Sequence, residues 1–350
     1  MDIGIILPNW IGDVAMATPT LRAIHRKFGE QGRIVGVMKP YVKEVLDGSP
    51  WLDDIVLYNR RAGDPGISFL TAARKLRTMK LDALAILPNS LSSGCLGYLS
   101  GAKRRVGYAR NCRSTMLTDR LTAARSGGQW TPISAVDYFL PIAYQLGCPT
   151  EERRMELRTT PEEEAIADDT FAALEITPDE NVVAFNTGGA FGGAKHWPVE
   201  HYVDLAKRVV REPNTTVLVN CGPNERDAAN EIAISANHPR VKSLASMVPS
   251  IGPSKAILAR CQLVVSTDSG PRHLAVALGV PTVALFGPID KKWSTTYGPR
   301  ETVLDIEVDC GPCGQRVCPK KHHRCMRDLS VDMVFAAVRR QLSVDNISAA

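Results

Sequence analysis

No apolar run in this chain of 350 residues approaches the roughly 18 residues that a bilayer-crossing helix needs, so no membrane span is expected. The opening Met1-Asp2-Ile3-Gly4-Ile5-Ile6-Leu7-Pro8 carries no basic leader and no cleavage site. Its apolar stretch is also too short for a secretion signal, and the expected location is cytoplasmic. Low-complexity segments and residue-level repeats are missing, which excludes solenoid arrays and long disordered tails. Neither leading strand is followed by Gly-x-Gly-x-x-Gly, which argues against a dinucleotide oxidoreductase. Recognition helices, zinc-finger spacings and basic strands interleaved with aromatics are absent too, so nucleic acid is not an expected partner. Nine cysteines without a secretion signal read as thiols or ligands rather than a disulfide framework.

What is present is a chain with 44% apolar residues and a net charge of +5. That length and apolar content suit about two domains, each able to bury a core. The mild positive excess permits an anionic substrate or an anionic membrane surface. Lys103, Arg104, Arg105, Arg110 and Arg113 concentrate it, and the arginine bias favours phosphate, which guanidinium grips in a fork, over a merely solvated face.

Apolar strands alternate with amphipathic helices in both halves, the grammar of parallel α/β sheets. Strands are expected at Ile3–Leu7, Arg33–Met38, Asp54–Leu57, Ala83–Leu87 and Arg105–Tyr108, with helices near Met16–Lys27, Val42–Leu46 and Phe69–Met79. The second half repeats the scheme, with strands at Val182–Phe185, Thr216–Asn220, Leu263–Ser266, Thr282–Phe286 and Thr302–Ile306. Its helices are expected near Val199–Arg211, Glu225–Ala236, Ser254–Arg260 and Arg272–Leu278. The fold class is therefore α/β, two doubly wound Rossmann-like domains over 1–155 and 156–330, followed by a terminal helix and tail over 331–350. The polar, Pro-containing stretch from Cys148 to Pro161 marks the connection.

Ligands of such sheets bind beyond the carboxyl ends of the strands. The first strand runs into Asn9-Trp10-Ile11-Gly12-Asp13, where Gly12 allows a tight turn and Asp13 either caps the next helix or takes a proton from an attacking hydroxyl. In the second half, Thr187-Gly188-Gly189-Ala190-Phe191-Gly192-Gly193-Ala194-Lys195 follows a strand. It is not a Walker A loop, because Ala194 separates the last Gly from Lys195 and His196 follows; it remains a Gly-rich anion loop with one cation. Glu225, past another strand, suits either a helix cap or a ribose hydroxyl. Ser266-Thr267-Asp268-Ser269-Gly270-Pro271-Arg272-His273 reads as strand, turn and helix start: Asp268 or Ser269 can cap, Gly270 permits close approach, and the helix's free N–H groups can seat a diphosphate beside His273. Cys310, Cys313, Cys318 and Cys325, with His322 and His323, offer enough ligands for tetrahedral zinc. Only one Cys-x2-Cys pair is present, so reduced thiols are the expected state.

Taken together, these segments resemble the ADP-heptose:lipopolysaccharide heptosyltransferases, glycosyltransferase family 9. The resemblance covers nearly the whole chain. It rests on Leu7-Pro-Asn-Trp-Ile-Gly-Asp13, Leu87-Pro-Asn-Ser90, Arg105-Val-Gly-Tyr108, Phe191-Gly-Gly-Ala-Lys-His-Trp-Pro198, Asp268-Ser-Gly-Pro-Arg-His273 and Phe286-Gly-Pro288. It implies a GT-B architecture, with donor mainly on the second domain and acceptor mainly on the first. It further implies an inverting, metal-independent transfer of heptose from ADP-heptose to the first heptose of a lipid A-Kdo-heptose acceptor, with no cofactor beyond the donor substrate. Asp13 would be the general base; Lys195, Thr187, Gly188, Glu225, Asp268, Ser269, Gly270 and His273 would hold the donor, and Asn9, Trp10, Gly12, Arg104 and Arg105 the acceptor. The enzyme would lie peripherally on the inner face of the inner membrane. Transfer to Kdo, a GT-B enzyme using another nucleotide sugar, and a silent binding module are the alternatives. Ala190 departs from the acidic residue many relatives carry, and Asn186-Thr187 from their Pro-containing entry to that loop.

Overall fold

A computed structural model describes residues 1–59, 63–189, 191–247 and 250–348, with side chains described as far as residue 343. The chain divides into two compact units, Met1–Arg158 and Thr159–Ala350.

The first unit runs β1 (Ile3–Ile6), α1 (Ile11–Phe28), β2 (Ile34–Met38), α2 (Pro40–Leu46), β3 (Asp54–Leu57), α3 (Phe69–Met79), β4 (Ala83–Ile86), α4 (Leu91–Leu99), β5 (Arg104–Tyr108) and β6 (Asp119–Leu121). A two-stranded hairpin, β7 (Arg125–Ser126) and β8 (Gln129–Trp130), and helix α5 (Ala135–Gln145) follow. The sheet order is β3-β2-β1-β4-β5-β6, with every pair parallel. Its inner strands are continuous apolar runs, buried along their length in β1, β2 and β4, as expected of strands covered by helices on both faces.

The second unit begins with α6 (Pro161–Ala173) and continues through β9 (Asn181–Asn186), α7 (Val199–Val209), β10 (Thr215–Asn220), α8 (Arg226–Ala236), β11 (Val241–Ser243), α9 (Ile251–Ala259), β12 (Leu263–Thr267), α10 (Gly270–Ala277), β13 (Thr282–Leu285), β14 (Glu301–Leu304), α11 (Arg324–Arg327) and α12 (Val331–Ser348). Its order, β11-β10-β9-β12-β13-β14, repeats that of the first sheet and is again all parallel. Helix α7 shows why the sequence chooses this: Tyr202, Leu205, Ala206 and Val209 recur at helical spacing and are the buried positions. At the start of α6, Thr160 and Glu163 form a reciprocal capping box, which satisfies two orphan donors and contributes about 1 kcal/mol.

The connection and the terminal helix are each tied to one unit. The stretch read as a connection is tied down as far as Glu156: Arg22 of α1 donates to Glu151 at 3.3 Å, to the Glu152 carbonyl at 3.1 Å and to the Arg154 carbonyl at 3.0 Å. The Glu156 amide also donates to Thr18 Oγ1 at 3.1 Å, and the first unit runs to Arg158, close to the expected boundary near 155. The terminal helix is not a separate segment. Val334, Ala337 and Val338 of α12 are buried in the core of the second unit, and α12 packs on α7.

Candidate functional site

Each sheet reverses its strand order at one point, between β1 and β4 in the first unit and between β9 and β12 in the second. The crevice beyond the carboxyl ends of the strands at such a reversal is where open α/β sheets bind ligands. Asn9, Trp10, Gly12 and Asp13 follow β1, and Thr187, Gly188 and Lys195 follow β9; Asp268, Ser269 and Gly270 follow β12. Glu225 lies past β10, the strand next to β9.

In the second unit the two loops are stitched together. Asn186, the last residue of β9, donates from Nδ2 to the Gly188 carbonyl at 2.9 Å and to Ser269 Oγ at 3.0 Å. The approach is close: a Cβ on Gly189 would stand 2.8 Å from Ser269 Cβ, and one on Gly188 2.8 Å from the Cδ of the flexible Glu225 side chain. Glu225 is the N-cap residue of α8, but its carboxylate accepts from the Gly222 amide at 2.6 Å and makes no side-chain cap bond. Thr187 Oγ1 is buried without a hydrogen-bond partner.

Lys195 ends a short 3-10 turn, Gly193–Lys195. Its Nζ donates to Asp268 Oδ2 at 2.5 Å and to the Asp268 carbonyl at 2.9 Å. On its other side Asp268 receives Arg272 Nη1 at 3.0 Å and Ser294 Oγ at 2.9 Å. Arg272 then grips Glu301 with both arms of its fork, at 2.7 and 3.2 Å. Burial alone would raise the Asp268 carboxyl, but the Lys195 ammonium and the Arg272 guanidinium override it and hold it at about 2. Asp268 therefore does not cap α10; it fixes two cations. The N-cap of α10 is Ser269, which makes no side-chain cap bond, because its hydroxyl is engaged with Asn186 and with the Thr267 carbonyl. The Ser269 side chain thus leaves the first amides of α10 uncapped, an arrangement that attracts an anion. Arg272, fully buried at 1% exposure, escaped the sequence reading; its signal was the i,i+4 spacing from Asp268.

His273 is enclosed. It lies in the helix start, but its ring is buried, Nδ1 has no partner and Nε2 stands 3.8 Å from Asp268 Oδ1. Burial, reinforced by Arg272, pushes the imidazole down to about 3. The ring is therefore buried and neutral beside Asp268. Stability should reflect this. An unfolded chain's imidazole takes its proton near 6.5, so between there and about 3 the unfolded state holds the extra proton, and stability falls as the pH drops. Asp268 adds a second loss below 3.8, the carboxyl's ordinary value, as the pH approaches about 2. The urea midpoint should therefore decline on acidification from pH 6.5, and His273→Gln should flatten that decline above pH 3.8; parallel slopes for the two proteins would refute the assignment.

In the first unit, α1 starts at Ile11 with Trp10 as N-cap. Asp13 is thus the third residue of the helix, in its first turn, and not the cap. Its half-buried side chain lies at the carboxyl edge of the sheet, next to an exposed Trp10, and Gly12 is buried. Across the reversal point, buried Arg113 binds Tyr108 O at 3.0 Å, Ser93 Oγ at 2.9 Å and Asn89 Oδ1 at 3.2 Å, and so organises the loop after β4. Arg110 stacks on Trp130 at 3.8 Å.

Arg104 and Arg105 need correction as acceptor contacts. They open β5 and so lie at the amino end of the sheet, away from the ligand edge. Arg104 is held by Asp119 at 2.8 Å and Arg105 by the carbonyls of Met116 and Ala102, both at 2.7 Å. In the cysteine segment, Cys310 Sγ stands 3.7 Å from His322 Nε2. Among the described residues no three His, Cys, Asp or Glu side chains gather closely enough to hold a metal. Ala190 lies outside the described residues. No helix among those described is long and apolar enough to cross a membrane.

The chain is similar to known proteins over most of its length. The family model described as glycosyltransferase family 9 (heptosyltransferase) matches residues 69–324. Lipopolysaccharide heptosyltransferase 2 of Escherichia coli K12 is 26% identical, covering 96% of this chain and 97% of its own. Among solved structures, E. coli ADP-heptose lps heptosyltransferase II aligns with a TM-score of 0.80 at 22% identity, covering 99% of this chain and 100% of that one. A family 9 glycosyl transferase from Veillonella parvula aligns with a TM-score of 0.82 at 20% identity, covering 97% of each. At these identities the two structures speak for the fold.

Proposed function

The chain belongs to glycosyltransferase family 9, the heptosyltransferases, and on that premise we propose that it transfers L-glycero-D-manno-heptose from ADP-heptose to the first heptose of a lipid A-Kdo-heptose acceptor. The observation that carries this reading is the second unit's anion seat: a Lys195 ammonium fixed by Asp268 beside the uncapped start of α10. As the bond between the anomeric carbon and the diphosphate oxygen breaks, negative charge grows on the departing ADP. Preorganised donors placed where charge appears are the largest electrostatic contribution to such a step. In this reading Thr187 Oγ1, Gly188 and the amides of Ser269 and Gly270 complete the seat, and Glu225 accepts from ribose hydroxyls.

Asp13 is the general base. It takes the proton of the acceptor hydroxyl as that oxygen attacks the anomeric carbon from the face opposite ADP, so the configuration inverts in one displacement. Asn9 and the exposed Trp10 supply the acceptor's sugar contacts, and Gly12 keeps the approach to Asp13 open. Lys195 and the helix start take the part a divalent cation plays elsewhere. The acceptor's lipid would keep the enzyme on the inner face of the inner membrane.

The test is donor and acceptor competition on the purified chain. ADP-heptose should bind more tightly than UDP-glucose or GDP-mannose, and turnover should survive a chelator. Product should form on the monoheptosylated acceptor and not on its Kdo-terminated precursor. Tighter binding of UDP-glucose would reassign the donor, and product on the precursor alone would reassign the acceptor.

A further inference from the structure

Helix α4 packs inside out. Its buried positions are small, Ser93, Gly94 and Gly97 beside a single Leu96, and a Cβ on Gly97 would stand 2.5 Å from Ile86 Cδ1. Its large apolar side chains point the other way: Leu91 is 48% exposed, Tyr98 59% and Leu99 38%. With Cys95 these positions form one stripe at helical spacing. Water is an unfavourable neighbour for such a stripe; exposed Leu and Tyr gain by burial against an apolar partner.

Helix α3 packs beside α4, and the groove between them, about 480 Å³, is lined by Phe69, Ser90, Leu91, Ser92 and Cys95. The exposed side of α3 carries Leu70 together with Arg74, Lys75 and Arg77, followed by Lys80. No acidic residue occurs from Gly66 to Leu81 or from Leu87 to Arg105. An apolar stripe flanked by cations with no anion among them is the chemistry of an interfacial lipid contact. Lys and Arg side chains are drawn to an anionic leaflet, and the apolar side chains enter the headgroup boundary.

We propose that the α3–α4 face seats the first unit on an anionic lipid bilayer, with Leu70, Leu91, Tyr98 and Leu99 inserted and Arg74, Lys75, Arg77 and Lys80 against the headgroups. This deepens the membrane placement of the proposed function and rests on that reading for its biological setting. None of these residues is among those assigned above to the donor or the acceptor.

The experiment is co-sedimentation of the full chain with vesicles of phosphatidylethanolamine and phosphatidylglycerol, with phosphatidylcholine vesicles as the neutral comparison. The chain should bind the anionic vesicles more tightly. Leu91→Ser/Tyr98→Ser/Leu99→Ser and, separately, Arg74→Glu/Arg77→Glu should each weaken that binding by about tenfold or more. Both variants should keep wild-type turnover on an acceptor stripped of its acyl chains. Undiminished vesicle binding in the triple-serine variant overturns the proposal. So does a dimer in solution that this variant dissociates, which would give the face to a second copy. Vesicle binding without transfer to any acceptor would defeat the proposed function and leave this surface standing; transfer without vesicle binding would do the reverse.

Discussion

Asp13→Asn is expected to lower kcat by about 10²–10⁴, the range general-base catalysis supplies, with little change in the KM for the donor. The substitution is isosteric, and Asp13 occupies the first turn of α1, not its cap. The carboxylate's favourable interaction with the helix dipole is worth only about 0.3–1 kcal/mol, so the protein should stay folded and the loss should be chemical. A pH–rate profile separates these possibilities: the wild-type limb that rises with deprotonation of a carboxyl should vanish in the variant. Full activity in Asp13→Asn would move the base elsewhere or leave the chain a binding module.

Lys195→Ala should reduce kcat by about 10–10³, because it removes a cation placed where the departing diphosphate gains charge. The same side chain is also half of an ion pair with Asp268, 15% and 7% exposed respectively. Breaking a buried pair from one side costs about 3–5 kcal/mol, since the other charge is left behind. Asp268 keeps Arg272 and Ser294, so the cost here should fall at the low end. Two readouts separate catalysis from support. If Lys195 serves the leaving group, kcat falls at temperatures where the variant is still fully folded; an unchanged rate with a lowered Tm would leave it only the task of holding Asp268.

The sheets were legible because their strands are short apolar runs between polar turns, and α7 because its buried positions keep helical spacing. Helix α4 was not legible, since Leu91-Ser-Ser-Gly-Cys-Leu-Gly-Tyr-Leu99 reads as loop composition and its apolar spacing faces outward. The start of α1 was read too late. Pro19 lies within the expected helix and sits buried inside the observed one, as Pro141 sits inside α5. At the candidate site, the residues after β1, β9 and β12 were legible because a parallel sheet exposes its chemistry at one edge. Charge state was not. The sequence does not tell that the His273 imidazole is neutral by burial, that Arg113 is buried against a backbone carbonyl and Ser93 instead of facing phosphate, or that Arg272 is buried between Asp268 and Glu301. Residue type states what a group can carry; its surroundings decide whether it does.

The chain Lys195–Asp268–Arg272–Glu301 alternates in sign and sums to zero, and its last three members are 7%, 1% and 7% exposed. Counterions cannot enter among groups so enclosed, whereas the cations along α3 stand in solvent, where about 0.15 M salt confines their reach to roughly 8 Å. The molecule thus has two electrostatic regimes with different sensitivity to ionic strength. A salt wash strong enough to strip it from a charged surface should leave the nucleotide seat assembled, so that detachment and inactivation become separable events.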